Sequence, residues 1–292
     1  AYTAIDDPEA YFQVKLYTGT GSSAALTFDG DTDMQPDLVW SKSRSNATSQ
    51  NIADAVRGVT KVLEADSTAA EATNTNSLTA FGSDGFTVGS DAGWNGSDRT
   101  FVAWCWKESA TAGFDIVSYT GNATSGATQS HSLSAVPNMI FVKCIGTGST
   151  NWIVFTETMG NTKWFYLNAT NAASVNSAAW NNTSPTSSVF SLGNDGDVNG
   201  DSRTYIAYLF TNKQGFSKFG SYTGNGNADG TFVYTGFRPA FVMTKSIDST
   251  SAWHLFDDKR EGYNVDNDPI EVDDAGVEAT TDMIDLVSNG FK

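Results

Sequence analysis

The chain has 292 residues, 39% of them hydrophobic, and its 18 Phe, 10 Tyr and 8 Trp supply material for more than one core, which excludes a disordered chain. Only 17% of residues are charged, but 33 Asp and Glu outnumber 17 Lys and Arg; the net charge of −16 excludes nucleic acid as a partner, because phosphate binding rests on Lys and Arg. No apolar run approaches the length of a membrane span and no signal peptide opens the sequence, so a soluble protein with no membrane insertion is expected.

The first apolar run ends in Tyr17-Thr18-Gly19, and this tripeptide returns as Tyr119-Thr120-Gly121 and Tyr222-Thr223-Gly224, at spacings of 102 and 103. Asp29-Gly30-Asp31-Thr32-Asp33 follows, a calcium-loop spacing that also suits a turn. Next comes a proline, an apolar run and a lysine six residues on: Pro36 to Lys42, Pro137 to Lys143, and Pro239 to Lys245. A further strand-like run reads Trp152-Ile153-Val154-Phe155 in the second copy and Trp253-His254-Leu255-Phe256 in the third. Asp54-Ala55-Val56-Arg57 and Asp257-Asp258-Lys259-Arg260 share a D-x-x-R spacing, which its repetition marks as a structural ion pair rather than a catalytic one.

Gly58-Val59-Thr60-Lys61 is answered by Gly160-Asn161-Thr162-Lys163. Residues 51–72 read as strand and loop, with one helical turn near 67–72. Ser83-Asp84-Gly85, Asn95-Gly96, Asn199-Gly200 and Ser288-Asn289-Gly290 predict hairpin turns with positive φ. Strands covered on both faces are predicted at Arg99-Thr100-Phe101-Val102-Ala103-Trp104 and Arg203-Thr204-Tyr205-Ile206-Ala207-Tyr208, closing copies one and two. The third copy has no such closing strand, and its fold is expected to be completed from elsewhere.

Fixed landmarks in fixed order establish a repeat. Short Val-, Ile- and aromatic-rich runs bounded by Gly, Asn, Asp and Ser predict an all-β chain of tandem, jelly-roll-like β-sandwich modules of about 100 residues, at 1–110, 111–213 and 214–292.

Chemistry-bearing residues are few. Cys105 and Cys144 sit in apolar runs and read as buried thiols. His131 and His254 lack companions at metal-ligand spacing, and no nucleophile elbow is present, so no enzyme is expected. Asp195, Asp197, Asn199 and Asp201 match the opening of a calcium loop, but Ile206 stands where its final Glu belongs, and a hairpin turn is preferred. Calcium apart, no cofactor is expected. Trp94 and Trp180 lie in Gly-, Asn- and Ser-rich stretches, either stacking on the sugar rings of a glycan or capping the sandwiches. The acidic stretch 257–285 reads as a solvated face or loop.

Residues 5–19 (IDDPEAYFQVKLYTG), 56–61 (VRGVTK), 78–89 (LTAFGSDGFTVG) and 218–237 resemble a family of bacteriophage virion proteins common in marine phages. The likeness spans nearly the whole chain. It implies a tail-fibre-like or capsid-surface structural protein of the virion, assembled in the host cytoplasm as a homo-oligomer among other virion proteins. It carries over no catalytic residue. In that family the third copy continues into a closing strand, and the usual Ala/Asn/Ser-rich pattern is lost here over residues 261–282. A lectin-like receptor binder and a polysaccharide-degrading tailspike are the alternatives.

Overall fold

The computed structural model describes residues 3, 5–146, 148–263 and 267–292, and the chain is all-β. The first module carries β1 (Phe12–Thr18), β2 (Ala24–Leu26), β3 (Leu38–Ser43), β4 (Asn51–Asp54), β5 (Lys61–Glu64), β6 (Ala72–Thr73), β7 (Leu78–Phe81), β8 (Phe86–Val88), the short helix α1 (Ala92–Asn95) and β9 (Thr100–Trp106). The second carries β10 (Phe114–Thr120), β11 (Ala127–Ser130), β12 (Met139–Cys144), β13 (Ile153–Thr156), β14 (Lys163–Tyr166), β15 (Ser174–Val175), α2 (Ser177–Trp180), β16 (Val189–Leu192), α3 (Gly196–Asn199) and β17 (Thr204–Phe210). In the third are β18 (Val233–Tyr234), β19 (Phe241–Thr244), β20 (His254–Asp257), β21 (Ile270–Glu271), β22 (Leu286–Val287) and β23 (Gly290–Phe291).

The large sheet of the first module runs β1-β9-β3-β4-β5-β6, and that of the second runs β10-β17-β12-β13-β14-β15. Position for position these are the same antiparallel sheet. A small sheet, β2-β8-β7 or β11-β16, covers one face of each. In the third module β19-β20-β21 matches the β3-β4-β5 part and β18-β23-β22 the small sheet. The strand that would lie beside β19, as β9 lies beside β3, is absent among the described residues.

Side-chain alternation explains why the large sheets are apolar on both faces. Val39, Ala53, Ala103 and Cys105 point into the first module's own sandwich core. Their neighbours Leu38, Trp40, Ile52 and Trp104 point the other way, into a second core shared with Phe141, Trp152 and Phe165 of the second module and Trp253, Leu255 and Ile270 of the third. The modules therefore surround one common core, and are not strung as independent beads.

Local expectations changed in several places; at Ser288-Asn289-Gly290 the hairpin between β22 and β23 forms, but without a positive-φ residue. No helical turn forms at 67–71; the short helices are α1, α2, α3 and a 3-10 turn at Pro8–Ala10. The Asn95-Gly96 and Asn199-Gly200 pairs end α1 and α3 instead of making positive-φ hairpins, with φ of −58° at Gly96 and −63° at Gly200. An Asp side chain at each N-cap, Asp91 or Asp195, accepts from the backbone two residues on, which favours a helical turn over a β-turn. Gly85 does take positive φ, at 99°.

Candidate functional site

The repeated residues converge where modules meet. Lys42, Lys143 and Lys245, the lysines six residues after the proline, each donate from Nζ to a backbone carbonyl of another module: Ala275 at 3.1 Å, Thr68 at 3.0 Å and Thr170 at 3.1 Å. The residue before each second strand does the same. Gln50 Nε2 reaches Glu271 O at 2.7 Å, Trp152 Nε1 reaches Glu64 O at 2.9 Å, and Trp253 Nε1 reaches Tyr166 O at 2.8 Å. Backbone bonds from Thr48 to Ala275, Thr150 to Thr68 and Ser251 to Thr170 repeat the pattern. First grips third, second grips first, third grips second. This is a closed cycle of three equivalent joints.

Burial pulls the Lys42 and Lys143 ammonium groups down to about 8, opposed by Asp66 and Asp274 around Lys42 and by Cys144 and Asp197 around Lys143. Carbonyl oxygens replace water as their partners, so a buried lysine acts here as a three-donor fastener.

The D-x-x-R pairs lie at the same joints. Asp54 Oδ2 meets Arg57 Nε at 2.5 Å and accepts the Tyr208 hydroxyl of β17 at 2.7 Å. Asp257 Oδ2 meets Arg260 Nε at 2.6 Å and accepts Trp104 Nε1 of β9 at 3.0 Å. Both pairs are buried, and each takes its third partner from the closing strand of a neighbouring module. Thr156 and Met159 hold these positions in the second module.

Trp94 and Trp180 are 0% and 1% exposed, on α1 and α2 respectively, inside the sandwich cores. This corrects the glycan-stacking assignment: an indole with no accessible face cannot stack on a sugar. The sandwich-capping alternative describes them. The loop-like composition around them misled because α1 and α2 are single turns, too short to show a helical period.

The calcium candidates are engaged otherwise. Asp195 caps α3 through the Asp197 amide at 2.8 Å. Asp197 accepts from Asn151 Nδ2 at 3.2 Å. Asn199 is buried, accepting the Asn122 amide and donating to Gly193 O and Thr124 O. Asp201 is exposed. Asp195, Asp197 and Asn199 are thus held by separate protein partners, and no cluster of three or more acidic, His or Cys side chains able to hold a metal occurs among the described residues. Asp91 and Asn95 play the same parts in α1, so the run is framework shared by two copies and not a feature of one.

His131 bonds to Thr186 O through Nε2, and His254 is half-buried in β20. Cys105 and Cys144 are buried free thiols.

One acid pair was not found from sequence. Burial, a hydrogen bond to Asp115 and the charges of Asp115 and Asp37 push the Glu108 carboxyl up to about 7. Asp115 is itself tied to the Ile116 and Ser132 amides. Two carboxyls in hydrogen-bond contact stand closer than the ~5–9.5 Å that glycoside hydrolysis needs, so the pair reads as a joint between β9 and β10.

A cavity of about 1000 Å³ is lined by residues 218–226, by β19 and, toward the common core, by Trp152 and Trp253.

Fold and site together define an all-β protein of several antiparallel sheets fastened to one another around a common core. The chain belongs to a family described as a domain of unknown function (DUF7483), matched over residues 7–292. No curated protein and no solved structure matches it.

Proposed function

We propose that this is a structural protein of a phage particle, an exposed tail-fibre-like or capsid-surface appendage that contributes to adhesion and works as a homo-oligomer among other virion proteins. The observation that carries the reading is the use made of the chain's reactive-looking groups. Both D-x-x-R pairs, all three repeated lysines and both candidate tryptophans serve as internal fasteners, which suits a rigid scaffold. The neutral polar and acidic surface suits a solvated appendage. The sequence resemblance to phage virion proteins supports a place on the particle. Mass spectrometry of gradient-purified particles tests it: the protein is expected at many copies per particle, and its absence from purified particles overturns the proposal.

A further inference from the structure

One joint of the cycle differs from the other two. The first and second modules follow one another along the chain, as do the second and third, whereas the first and third meet across it. Lys42 is 233 residues from Ala275, against 75 for Lys143 and Thr68 and 75 for Lys245 and Thr170. In an open chain the ends of the longer loop meet about fivefold less often. The first–third joint thus gains least from connectivity.

Its chemistry departs at the same place. Two residues after the repeated lysines stand Arg44, Ile145 and Ile247, and three residues after the accepting carbonyls stand Glu278, Glu71 and Ala173. The Glu278 amide donates to Arg44 O at 3.1 Å and the Ala173 amide to Ile247 O at 3.0 Å, so these two joints share one backbone register. In that register the third–second joint holds an isoleucine and an alanine. The first–third joint holds an ion pair: Arg44 Nε donates to Glu278 Oε2 at 2.7 Å, and Glu261 Oε1 lies 3.9 Å from Arg44 Nη2. Arg260 Nη1 binds the other Glu278 oxygen and fixes the carboxylate in place. At the second–first joint Glu71 is taken instead by Arg57 and Lys61 of its own module. Among the described residues, every salt bridge that crosses between modules lies at the first–third joint. The acidic residues that replace the Ala/Asn/Ser-rich pattern over 261–282 therefore find their cation in another module.

We infer that these acidic residues form a salt-sensitive clasp: Glu278 and Glu261 of the third module close the cycle on Arg44 of the first, and ionic strength sets how often this joint alone opens. The side chains of Arg44, Glu261 and Glu278 are 22%, 21% and 11% exposed, so solvent ions reach the pair. Its attraction weakens as the screening length falls from about 10 Å at 0.1 M salt to about 3 Å at 1 M. An isoleucine beside an alanine has no charge to screen. Opening is a local event within the folded chain, and it would bare Leu255 and Ile270, 0% and 1% exposed in the common core. This inference is independent of where the protein acts.

Native-state hydrogen exchange on the whole chain tests the clasp, because each joint has its own reporter amide. Thr48 donates to Ala275 O and Glu278 to Arg44 O in the clasp, while Thr150 donates to Thr68 O and Ser251 to Thr170 O in the other two joints. Raising NaCl from about 0.1 M to about 1 M is expected to speed exchange at 48 and 278 by roughly threefold or more, and to leave 150 and 251 within about 1.5-fold. Arg44→Gln should speed exchange at 48 and 278 about fivefold at the lower salt and abolish its salt dependence. Lys15→Gln removes an ion pair inside the first module and should alter none of the four amides. Equal acceleration at all four, no acceleration at 48 and 278, or a salt dependence that survives Arg44→Gln overturns the inference. The salt series uses the unaltered chain, so the test stands even if the variant does not fold.

Discussion

At the scale of single residues, the chain's buried charges are best understood through what they face. Asp54 and Arg57 form a desolvated pair completed by Tyr208, and removing one member leaves the other charge uncompensated. Arg57→Met is therefore expected to destabilise the protein by about 3–5 kcal/mol in denaturant titrations. The double change Asp54→Thr with Arg57→Met copies the second module's Thr156 and Met159 and should recover at least half of that loss. A double variant no more stable than Arg57→Met would show that the joint depends on the ion pair itself. Glu108 gives a pH dependence. Its folded carboxyl titrates near 7 against an ordinary 4.5, so between those values the folded chain holds a proton that the unfolded chain has released. Stability is then fully present below about 4.5 and falls as pH rises through about 7. Glu108→Gln, which still donates to Asp115, should flatten the fall in Tm across that window.

At the scale of elements, the Tyr-Thr-Gly landmark marks a socket for the short helix and strand that close each sandwich. Tyr17→Phe removes hydroxyl bonds to Trp94 O and Ser41 and should cost about 1–1.5 kcal/mol. Tyr222→Phe should change stability by less than about 0.5 kcal/mol, since that ring is half exposed. Comparable losses at both sites in chemical denaturation would mean that Tyr222 has a partner in solution. A second landmark, Gly58 and Gly160, is explained by φ of 88° and 76° at the turn before β5 and β14, and Gly262 repeats it at 86°. The third glycine was legible by spacing alone but was masked by the altered acidic sequence around it.

For the whole molecule, the cycle of joints and the common core predict one cooperative unit. Calorimetry should give a single unfolding transition with agreement between calorimetric and van't Hoff enthalpies. Resolved transitions for separate modules would contradict the shared core. Trp152→Ala, which opens the common core and removes the bond to Glu64 O, should lower the whole transition, by about 3–5 kcal/mol.

The sequence by itself determined the all-β class, the repeat, the positions of β3, β12 and β19, and the closing strands covered on both faces. Those features are local or periodic, written in runs of apolar residues and in the spacing of proline, lysine and glycine. It also marked both D-x-x-R pairs as structural. Only the tertiary structure decided what covers the second face of each sheet, since a buried lysine at position 42 and a tryptophan at 152 look alike whether they meet their own module or another. Burial of Trp94 and Trp180 and the cavity beside β19 depend on residues far apart in the chain. Their meaning lies in distances that spacing along the sequence does not encode.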